Sequence, residues 1–421
     1  MELLHRLHHR RSPPINGARR TGNVARGMAR LLLINYEFPP LGGGAANATD
    51  NTARELAALG EDVLVLTSAF GDLPRSERRA DGVEIRRIPT LRRRRDRSSV
   101  AEMLAFLASS LVMAPWIAAR WRPDATIAYF GLPCGPAAWM VKALSGVPYA
   151  VSLRGGDVPG FQYDGISLYH RLAGPVIGWL WRRSSAVVAN SEGLADLARR
   201  FAPDQAIAII PNGVDAARFS PADTRNDGDR LSLLFVGRVV RQKGLDVLFE
   251  ALASLPSATR DRISLTIVGD GPARPELEAQ AVRLGLSRQV MFRGWLGRDE
   301  LPAAYRAADA FVFPSRDEGM PNVVLEAMAA GLPVVATRIA GNRDLVVEEE
   351  TGLMLDADDT PALAAALARL AEDAPLRRRL GEGGRRRVVE HFSWRAVAAA
   401  YRDLTLAGRA SAGRVPSAQA D

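Results

Sequence analysis

Residues 310–328, with the sequence AFVFPSRDEGMPNVVLEAM, combine a strand, a loop and a helix in an order typical of α/β proteins. The apolar run 310–313 predicts a buried strand, and a polar loop follows it. Val323, Val324 and Ala327 then give the next segment one apolar side, which predicts a helix packed on a sheet. Because a strand followed by a packed helix is the repeating unit of a parallel sheet, the rest of the chain should repeat it.

Short apolar runs alternate with helical segments along most of the sequence, which predicts two α/β halves. In the first half the predicted strands are residues 31–34, 63–66, 83–88, 124–128, 149–153, 186–189 and 207–210. In the second half they are 231–236, 264–268, 290–292, 310–313 and 334–336. The predicted helices are 45–59, 245–255, 275–284 and 394–404.

The polar segment 216–230 separates the two halves and has the composition of a linker. We therefore predict an N-terminal domain at residues 29–215 and a C-terminal domain at 231–392. The last predicted helix, within 393–405, would cross back to the N-terminal domain. Residues 406–421 are predicted to be disordered.

Residues 1–28 form a basic extension with six arginines and one glutamate. No apolar segment follows the basic residues, so the extension does not resemble a secretory signal. We predict that it is disordered, or that translation starts at Met28; an ordered basic arm is the alternative.

The composition argues against several classes of function. The single cysteine, Cys134, cannot form an intramolecular disulfide, which favours a reducing, cytoplasmic location. The net charge of +8 lies largely in the N-terminal extension and in the arginine cluster at 92–95 and 97. Since no aromatic residues are interleaved with these arginines, we do not expect a nucleic-acid partner.

Residues 103–119 contain no charged side chain and follow the arginine cluster. The segment is slightly shorter than the ~20 residues of a membrane-spanning helix, and Pro115 interrupts it. Three interpretations are open: a buried helix of the N-terminal domain, a helix lying on an anionic membrane surface, or a true span. The second would place the protein peripherally on the inner face of the membrane.

The loop 38–44, FPPLGGG, joins a predicted strand to a predicted helix. Gly43 and Gly44 allow a ligand to approach the backbone, and a helix N-terminus offers N–H groups to an anion. A tight turn is the simpler alternative. A nicotinamide-type dinucleotide site is disfavoured, because Asn47 occupies the third small position and no acidic residue ends the next strand.

Two cations follow the first strand of the second half. Arg238 comes directly after Gly237, and Lys243 lies within the following turn. An arginine fork and a lysine point charge beside glycines suit a diphosphate. Gly269 and Asp270 end the next strand and are placed to line the same crevice. A solvated basic loop and an ordinary turn are the alternatives.

Glu318 and Glu326 are the candidate acids. Glu318 lies in the loop after strand 310–313, and Glu326 is predicted to lie about two turns into the following helix. A carboxylate on a packed helix is costly unless a ligand or a partner satisfies it. Carboxylates accept two hydrogen bonds at once and therefore bind sugar and ribose hydroxyls well.

With these motifs the sequence resembles the family 4 retaining glycosyltransferases, whose GT-B fold has two Rossmann-like α/β domains facing each other across a cleft. Glu318 and Glu326 reproduce the E-x7-E signature of that family. The other motifs fall in the family's order over nearly the whole chain past the extension: Pro39-Pro40 with the glycines at 42–44, Asn212-Gly213-Val214-Asp215, Gly237-Arg238 with Lys243-Gly244, and Gly269-Asp270-Gly271-Pro272.

The resemblance implies a nucleotide-diphosphate sugar donor held mainly by the C-terminal domain. It implies a glycan or lipid-linked acceptor on the N-terminal side, retention of configuration, and a role in cell-envelope or extracellular polysaccharide synthesis. Glu318 would contact the donor sugar and Glu326 the ribose hydroxyls. Arg238 and Lys243 would neutralise the diphosphate. These two cations and Glu318 would be the catalytic residues. The remaining donor-site candidates are Arg154, Gly319, Met320, Pro321, Asn322 and Val323. No Asp-x-Asp clamp is evident, so we expect no metal or other cofactor.

The sequence departs from the family at Arg154, where many members carry a histidine that faces the donor sugar. Asp157 is retained, either as an ion-pair partner of Arg154 or as a ligand of the acceptor or sugar. Gly155 and Gly156 are further acceptor-side candidates. A nucleotide-sugar epimerase or hydrolase on a similar scaffold is the alternative function.

Overall fold

The structure is a computed structural model, and it describes residues 28–95, 98–160, 167–223, 230–297 and 299–412. Two mainly parallel sheets, one in each half of the chain, organise these residues. The basic extension at 1–27 and the C-terminal residues 413–421 lie outside the described part, so the predictions for those segments remain predictions.

The N-terminal sheet has eight strands in the described residues, in the spatial order β3-β4-β2-β1-β5-β6-β7-β8. The strands are β1 (Arg30–Ile34), β2 (Asp62–Ser68), β3 (Ser76–Arg78), β4 (Glu84–Ile88), β5 (Ala125–Tyr129), β6 (Tyr149–Ser152), β7 (Ala186–Ala189) and β8 (Ile207–Ile209). All neighbours pair in parallel except β3, which is antiparallel to β4. Helix α1 (Gly44–Ala58) covers one face. The helices α2 (Val100–Trp121), α3 (Gly135–Ser145), α4 (Ser167–Arg183) and α5 (Glu192–Phe201) cover the other.

The C-terminal sheet has six parallel strands among the described residues, in the order β11-β10-β9-β12-β13-β14. The strands are β9 (Leu231–Val236), β10 (Ile263–Val268), β11 (Val290–Gly294), β12 (Ala310–Phe313), β13 (Val334–Thr337) and β14 (Gly352–Leu355). The helices are α6 (Leu245–Ser254), α7 (Ser257–Arg260), α8 (Arg274–Arg283), α9 (Leu301–Arg306), α10 (Asn322–Ala329), α11 (Ala340–Arg343), α12 (Thr360–Glu372) and α13 (Ala374–His391).

The predicted fold class is confirmed: two Rossmann-like α/β domains are present. Every predicted strand overlaps an observed one within a few residues. Strands β3 and β14 were not predicted, because β3 has a polar sequence and β14 is short and contains a glycine. Local apolar periodicity is weak in both cases, so their pairing with a neighbouring strand defines them.

Helix α14 (Trp394–Ala412) packs on the N-terminal domain. Trp394 and Tyr401 are buried in the core cluster formed by α1 and its face of the sheet, and Tyr401 Oη lies 2.7 Å from Ser152 Oγ. The helix continues through residues 406–412, so the prediction of disorder there was wrong. Leu406 packs against the N-terminal core, which stabilises the additional turns.

Part of the predicted linker, 216–230, is packed on the C-terminal domain. Phe219 is buried, and its ring lies edge-on to Tyr305 with the centroids 5.5 Å apart. Arg385 donates a hydrogen bond of 3.2 Å to the carbonyl oxygen of Phe219. The start of the segment is therefore anchored by an aromatic side chain, while residues 224–229 lie outside the described part.

Helix α2 contains the uncharged segment 103–119 and begins with a capping box between Ser99 and Glu102. One side of the helix is buried in the N-terminal core, while Leu104 is 58% and Trp116 51% exposed. Within the described residues, α2 is the one helix long and apolar enough to cross a membrane, which is weak evidence by itself. The helix is thus packed in the N-terminal domain as one interpretation predicted, but with one side only, and its other side is exposed.

Candidate active site

A cleft between the two domains contains most of the predicted site residues. Its larger cavity, about 510 Å³, lies at the carboxyl ends of β9, β10 and β12, where ligands of parallel sheets usually bind. A second cavity of about 370 Å³ adjoins it, and Arg238, Lys243 and Glu318 line both.

The structure brings together fifteen of the eighteen predicted residues along these two cavities. They are Gly43, Gly44, Arg154, Gly156, Gly237, Arg238, Lys243, Gly269, Glu318, Gly319, Met320, Pro321, Asn322, Val323 and Glu326. Gly155, Asp157 and Asp270 do not line either cavity.

Lys243 and Glu318 form an ion pair in the cleft. Lys243 ends the short 3-10 turn Arg241–Lys243 after β9, and its Nζ donates a hydrogen bond to Glu318 Oε1. Ser315 Oγ donates a second hydrogen bond of 3.1 Å to the same oxygen. The predicted catalytic acid is thus held in place by a cation and a hydroxyl group.

Two glycines allow the loops of the cleft to approach each other closely. Gly269 has a φ of +126°, and a Cβ atom there would lie 1.9 Å from the carbonyl oxygen of Gly237. Gly244 has a φ of +68°, and its Cβ would lie 2.0 Å from the carbonyl oxygen of Pro314. The close packing of the strand ends therefore requires glycine at both positions, independently of any ligand.

Glu326 lies about one turn into α10, because the helix begins at Asn322 directly after Pro321. The predicted two turns were wrong for that reason. Glu326 is 8% exposed, and its Oε2 accepts a hydrogen bond of 2.8 Å from Tyr305 Oη. Burial raises the pKa of Tyr305 well above its usual value, so the phenol stays protonated and donates.

A buried pair that the sequence did not reveal supports the glycine loop. Glu37 lies 3.7 Å from the guanidinium of Arg92, and its carboxylate accepts a hydrogen bond from the backbone of Gly43. Arg92 also donates to the carbonyl oxygen of Arg94 at 2.8 Å. Burial raises the pKa of Glu37. No local pattern distinguishes Arg92 from its exposed neighbours, so the sequence could not predict its burial.

Arg154 is held by groups from three segments that are distant in sequence. Nη1 donates to Asn212 Oδ1 at 2.8 Å, Nη2 donates to Tyr401 Oη at 3.3 Å, and the guanidinium carbon lies 4.7 Å from the centroid of the Tyr129 ring. Asn212 belongs to one of the predicted motifs, but the sequence assigned it no role in the site. Tyr401 was not predicted to be a site residue. Only the folded chain brings these residues to Arg154.

Asp157 is hydrogen-bonded to the backbone, while its predicted role as a ligand of the acceptor or sugar stays a prediction. Its Oδ1 accepts a hydrogen bond from the backbone N–H of Arg154, and its Oδ2 accepts one from Gly131, both at 2.8 Å. The carboxylate therefore accepts hydrogen bonds from backbone groups and forms no salt bridge with the Arg154 guanidinium among the described residues, although the guanidinium charge acts to lower its pKa. Burial raises the pKa of Asp157.

Asp270 caps a turn at the rim. Its Oδ1 accepts a hydrogen bond of 2.7 Å from the N–H of Gly271, and its Oδ2 lies 3.2 Å from Arg274. These contacts fix the loop before α8, and Asp270 lines neither cavity. Across the described ranges, no group of three or more His, Cys, Asp and Glu residues could hold a metal ion.

The two domains meet at the cleft through a small set of polar contacts. Asn212 Nδ2 donates to Asn322 Oδ1 at 2.7 Å, and Asn322 Nδ2 donates to the carbonyl oxygen of Gly44 at 3.4 Å. Further from the cleft, the N–H of Glu192 donates to Asp344 Oδ2 at 2.7 Å. These hydrogen bonds add to the packing of α14 on the N-terminal core in holding the two domains together.

Two facing parallel-sheet domains with a polar cleft at their strand ends are the architecture of GT-B glycosyltransferases. Residues 43–213 match the family model described as glycosyl transferase 4-like domain, and residues 217–387 match that of glycosyl transferases group 1. The chain is 30% identical over 402 residues to a glycogen synthase of Mycobacterium tuberculosis, which covers 90% of this chain and 95% of the relative. The chain belongs to family 4 of the GT-B glycosyltransferases, and the epimerase alternative is not favoured.

Solved structures of low sequence identity share the fold. Sucrose-phosphate synthase from Thermosynechococcus elongatus superposes with a TM-score of 0.78 at 24% identity, covering 90% of this chain and 100% of that one. Anabaena HepE, solved in complex with UDP-glucose, superposes with a TM-score of 0.68 at 19% identity, covering 89% and 98%.

Proposed function

We propose that this glycosyltransferase moves a hexose from a nucleoside diphosphate sugar to a hydroxyl group of a glycan or lipid-linked acceptor, with retention of configuration and without a metal ion. The observation that carries the proposal is the meeting of Arg238, Lys243, Glu318 and Glu326 along one interdomain cleft. Cell-envelope or extracellular polysaccharide synthesis is the proposed setting.

The donor is proposed to lie along the C-terminal side of the cleft. Glu326 would accept hydrogen bonds from the ribose hydroxyls, held in place by Tyr305. Arg238 and Lys243 would bind the diphosphate, and Glu318 would bind the sugar hydroxyls. The complex of HepE with UDP-glucose supports a nucleotide-sugar donor for a chain of this fold.

In the proposed reaction the bond between the anomeric carbon and the β-phosphate oxygen breaks first. Its electron pair stays on the leaving diphosphate, whose growing charge Arg238 and Lys243 stabilise. The acceptor oxygen then bonds to the same face of the anomeric carbon, and its proton passes to the leaving phosphate oxygen. Lys243 and Tyr305 engage the two glutamates, which argues against a covalent intermediate on either one.

The outer side of the helix layer α2–α4 is proposed to lie on an anionic membrane surface in the cytoplasm. Exposed apolar side chains occur on all three helices, including Leu104, Trp116, Leu144 and Leu172. The three helices together carry five Lys or Arg residues and the single acid Glu102. The exposed apolar side chains can insert between lipids, and the excess of cations attracts anionic headgroups.

The donor proposal is tested by thermal unfolding with UDP-, ADP- and GDP-sugars, each against its free diphosphate. A ligand at ~100 times its Kd stabilises the folded state by about 2.7 kcal/mol. The sugar nucleotides of one base should therefore clearly raise the midpoint temperature of unfolding. Release of the nucleoside diphosphate should then require an acceptor. If no nucleotide sugar stabilises the protein, or if release is equally fast without an acceptor, the proposal is wrong.

A further inference from the structure

We propose that Arg154 binds an anionic group carried by one of the two substrates beside the transferred sugar, and that it selects acidic over neutral substrates. The inference rests on the proposed donor site and adds the charge of the substrate to it. The anion would be a carboxylate on the donor sugar or a phosphate on the acceptor, since both present paired oxygens to a guanidinium fork.

The partners of the Arg154 guanidinium carry no negative charge. Asn212 contributes an amide oxygen, Tyr401 a hydroxyl group and Tyr129 a ring face. Burial raises the pKa of Tyr129, so this phenol stays neutral. These three groups orient the guanidinium without neutralising it.

No carboxylate of the described residues lies within ion-pair distance of the Arg154 guanidinium. The acid closest in sequence, Asp157, accepts hydrogen bonds from the backbone N–H groups of Arg154 and Gly131, and it acts on the guanidinium by charge alone, without a salt bridge. In addition, Arg154 Nε is buried and has no hydrogen-bond partner. A partly buried cation with an unpartnered N–H group is costly. An anion in the smaller cavity, which Arg154 lines, would offset part of that cost through its charge.

The position of Arg154 separates it from the nucleoside end of the cleft. Arg154 lines the smaller cavity with Glu318 and Gly156, whereas Glu326 lines only the larger one. A Cβ atom on Gly319 would lie 3.7 Å from the carbonyl oxygen of Arg154, so Arg154 adjoins the loop that is proposed to hold the sugar. Its charge therefore acts on the sugar or the acceptor.

A rival explanation is that Arg154 is a third cation for the diphosphate. In that case its loss would weaken every donor and the free diphosphate by the same factor. If Arg154 binds a charged substituent, its loss would weaken only the ligands that carry this substituent. Calorimetric affinities for matched pairs of ligands separate the two explanations.

The experiment compares wild type, Arg154→Gln and Arg154→Lys, with Arg86→Gln as a control for loss of an exposed arginine on the same domain. The donor probes are UDP, UDP-glucose and UDP-glucuronate, or the same set on the base selected by the thermal screen. The acceptor probes are glucose and glucose 6-phosphate, each added to protein saturated with the diphosphate.

We expect wild type to bind one charged probe roughly tenfold to a hundredfold more tightly than its neutral partner, as for a charge-assisted hydrogen bond. Arg154→Gln should abolish this preference, Arg154→Lys should retain part of it, and Arg86→Gln should retain it all. Preference within the donor pair assigns the anion to the donor, and preference within the acceptor pair assigns it to the acceptor.

Unchanged affinity of Arg154→Gln for the free diphosphate shows that the variant is folded and that the diphosphate site is intact. The inference is overturned if wild type binds the diphosphate but prefers neither charged probe, or if Arg154→Gln weakens all donors equally. If no nucleoside diphosphate binds to wild type at all, the proposed function fails and this inference fails with it.

Discussion

Lys243 and Glu318, which are 75 residues apart in sequence, form a hydrogen-bonded ion pair at the centre of the interdomain cleft. The pair joins the turn after β9 to the loop after β12. The ammonium group of Lys243 has three N–H donors, so it can bind a diphosphate while it still holds Glu318. Lys243 would therefore link the diphosphate to the carboxylate that is proposed to bind the sugar hydroxyls, which couples the two proposed functions.

The Lys243→Ala and Glu318→Gln variants should each lower kcat by about 100-fold, because each removes a contact that strengthens as charge develops. The fold decrease in kcat of the double variant should be much smaller than the product of the two single decreases, since the two residues act as a unit. Steady-state kinetics on the four proteins measures this coupling. Near-wild-type kcat in both single variants would show that the pair is only structural.

The Arg238→Ala variant should also lower kcat by roughly 100-fold, because Arg238 is proposed to stabilise the leaving diphosphate in place of a metal ion. Activity of the wild type should accordingly survive EDTA. Arg86→Gln, which removes an exposed arginine paired with Glu84, should leave kcat unchanged. Abolition of wild-type activity by EDTA, with recovery on adding a divalent cation, would contradict the metal-free mechanism.

The Tyr305→Phe variant should weaken donor binding through Glu326. It removes the hydrogen bond to Glu326 Oε2 while keeping the ring that packs on Phe219. We expect KM for the donor to rise about fivefold, as for loss of one hydrogen bond of ~1 kcal/mol, with kcat nearly unchanged. A 2′-deoxyribose donor should lose this sensitivity. If Tyr305→Phe raised KM equally for the ribose and the 2′-deoxyribose donors, Glu326 would not bind the ribose.

The Asp157→Ala variant should destabilise the protein. It leaves the buried N–H groups of Gly131 and Arg154 without their acceptor, which costs roughly 1–3 kcal/mol for each unsatisfied group. Thermal and urea unfolding measure this loss. If Asp157 instead bound the acceptor, the variant would keep its stability and lose only kcat/KM for the acceptor.

The Leu104→Glu/Trp116→Glu variant should lose binding to anionic vesicles, since both side chains are exposed on the proposed membrane-facing side of α2. Co-sedimentation with phosphatidylglycerol vesicles at low and high salt tests this. Val282→Glu, at an exposed apolar position on the C-terminal domain, is the matched control and should bind like wild type. Absence of wild-type binding at low salt would refute the membrane proposal.

The sequence alone was sufficient for the architecture and for most of the cleft. Largely apolar runs of three to six residues predicted most of the strands, because burial on both faces of a parallel sheet leaves a continuous local signal. Glycines and cations at the ends of those strands predicted the cleft, because the carboxyl ends of parallel strands meet at one edge. These signals are local, so they can be recognised in the sequence without a structure.

The tertiary structure decided which side chains meet. The partners of Arg154 lie 58 and 247 residues away in sequence, and Arg92 is buried beside Glu37 although its neighbours are exposed. Asp157 binds backbone N–H groups and not the guanidinium that the sequence placed nearby. Such contacts depend on packing between distant segments, and a hydrogen bond forms only when that packing brings donor and acceptor within about 3 Å. Local patterns therefore determined the fold and the position of the cleft, while long-range packing determined its charges and contacts.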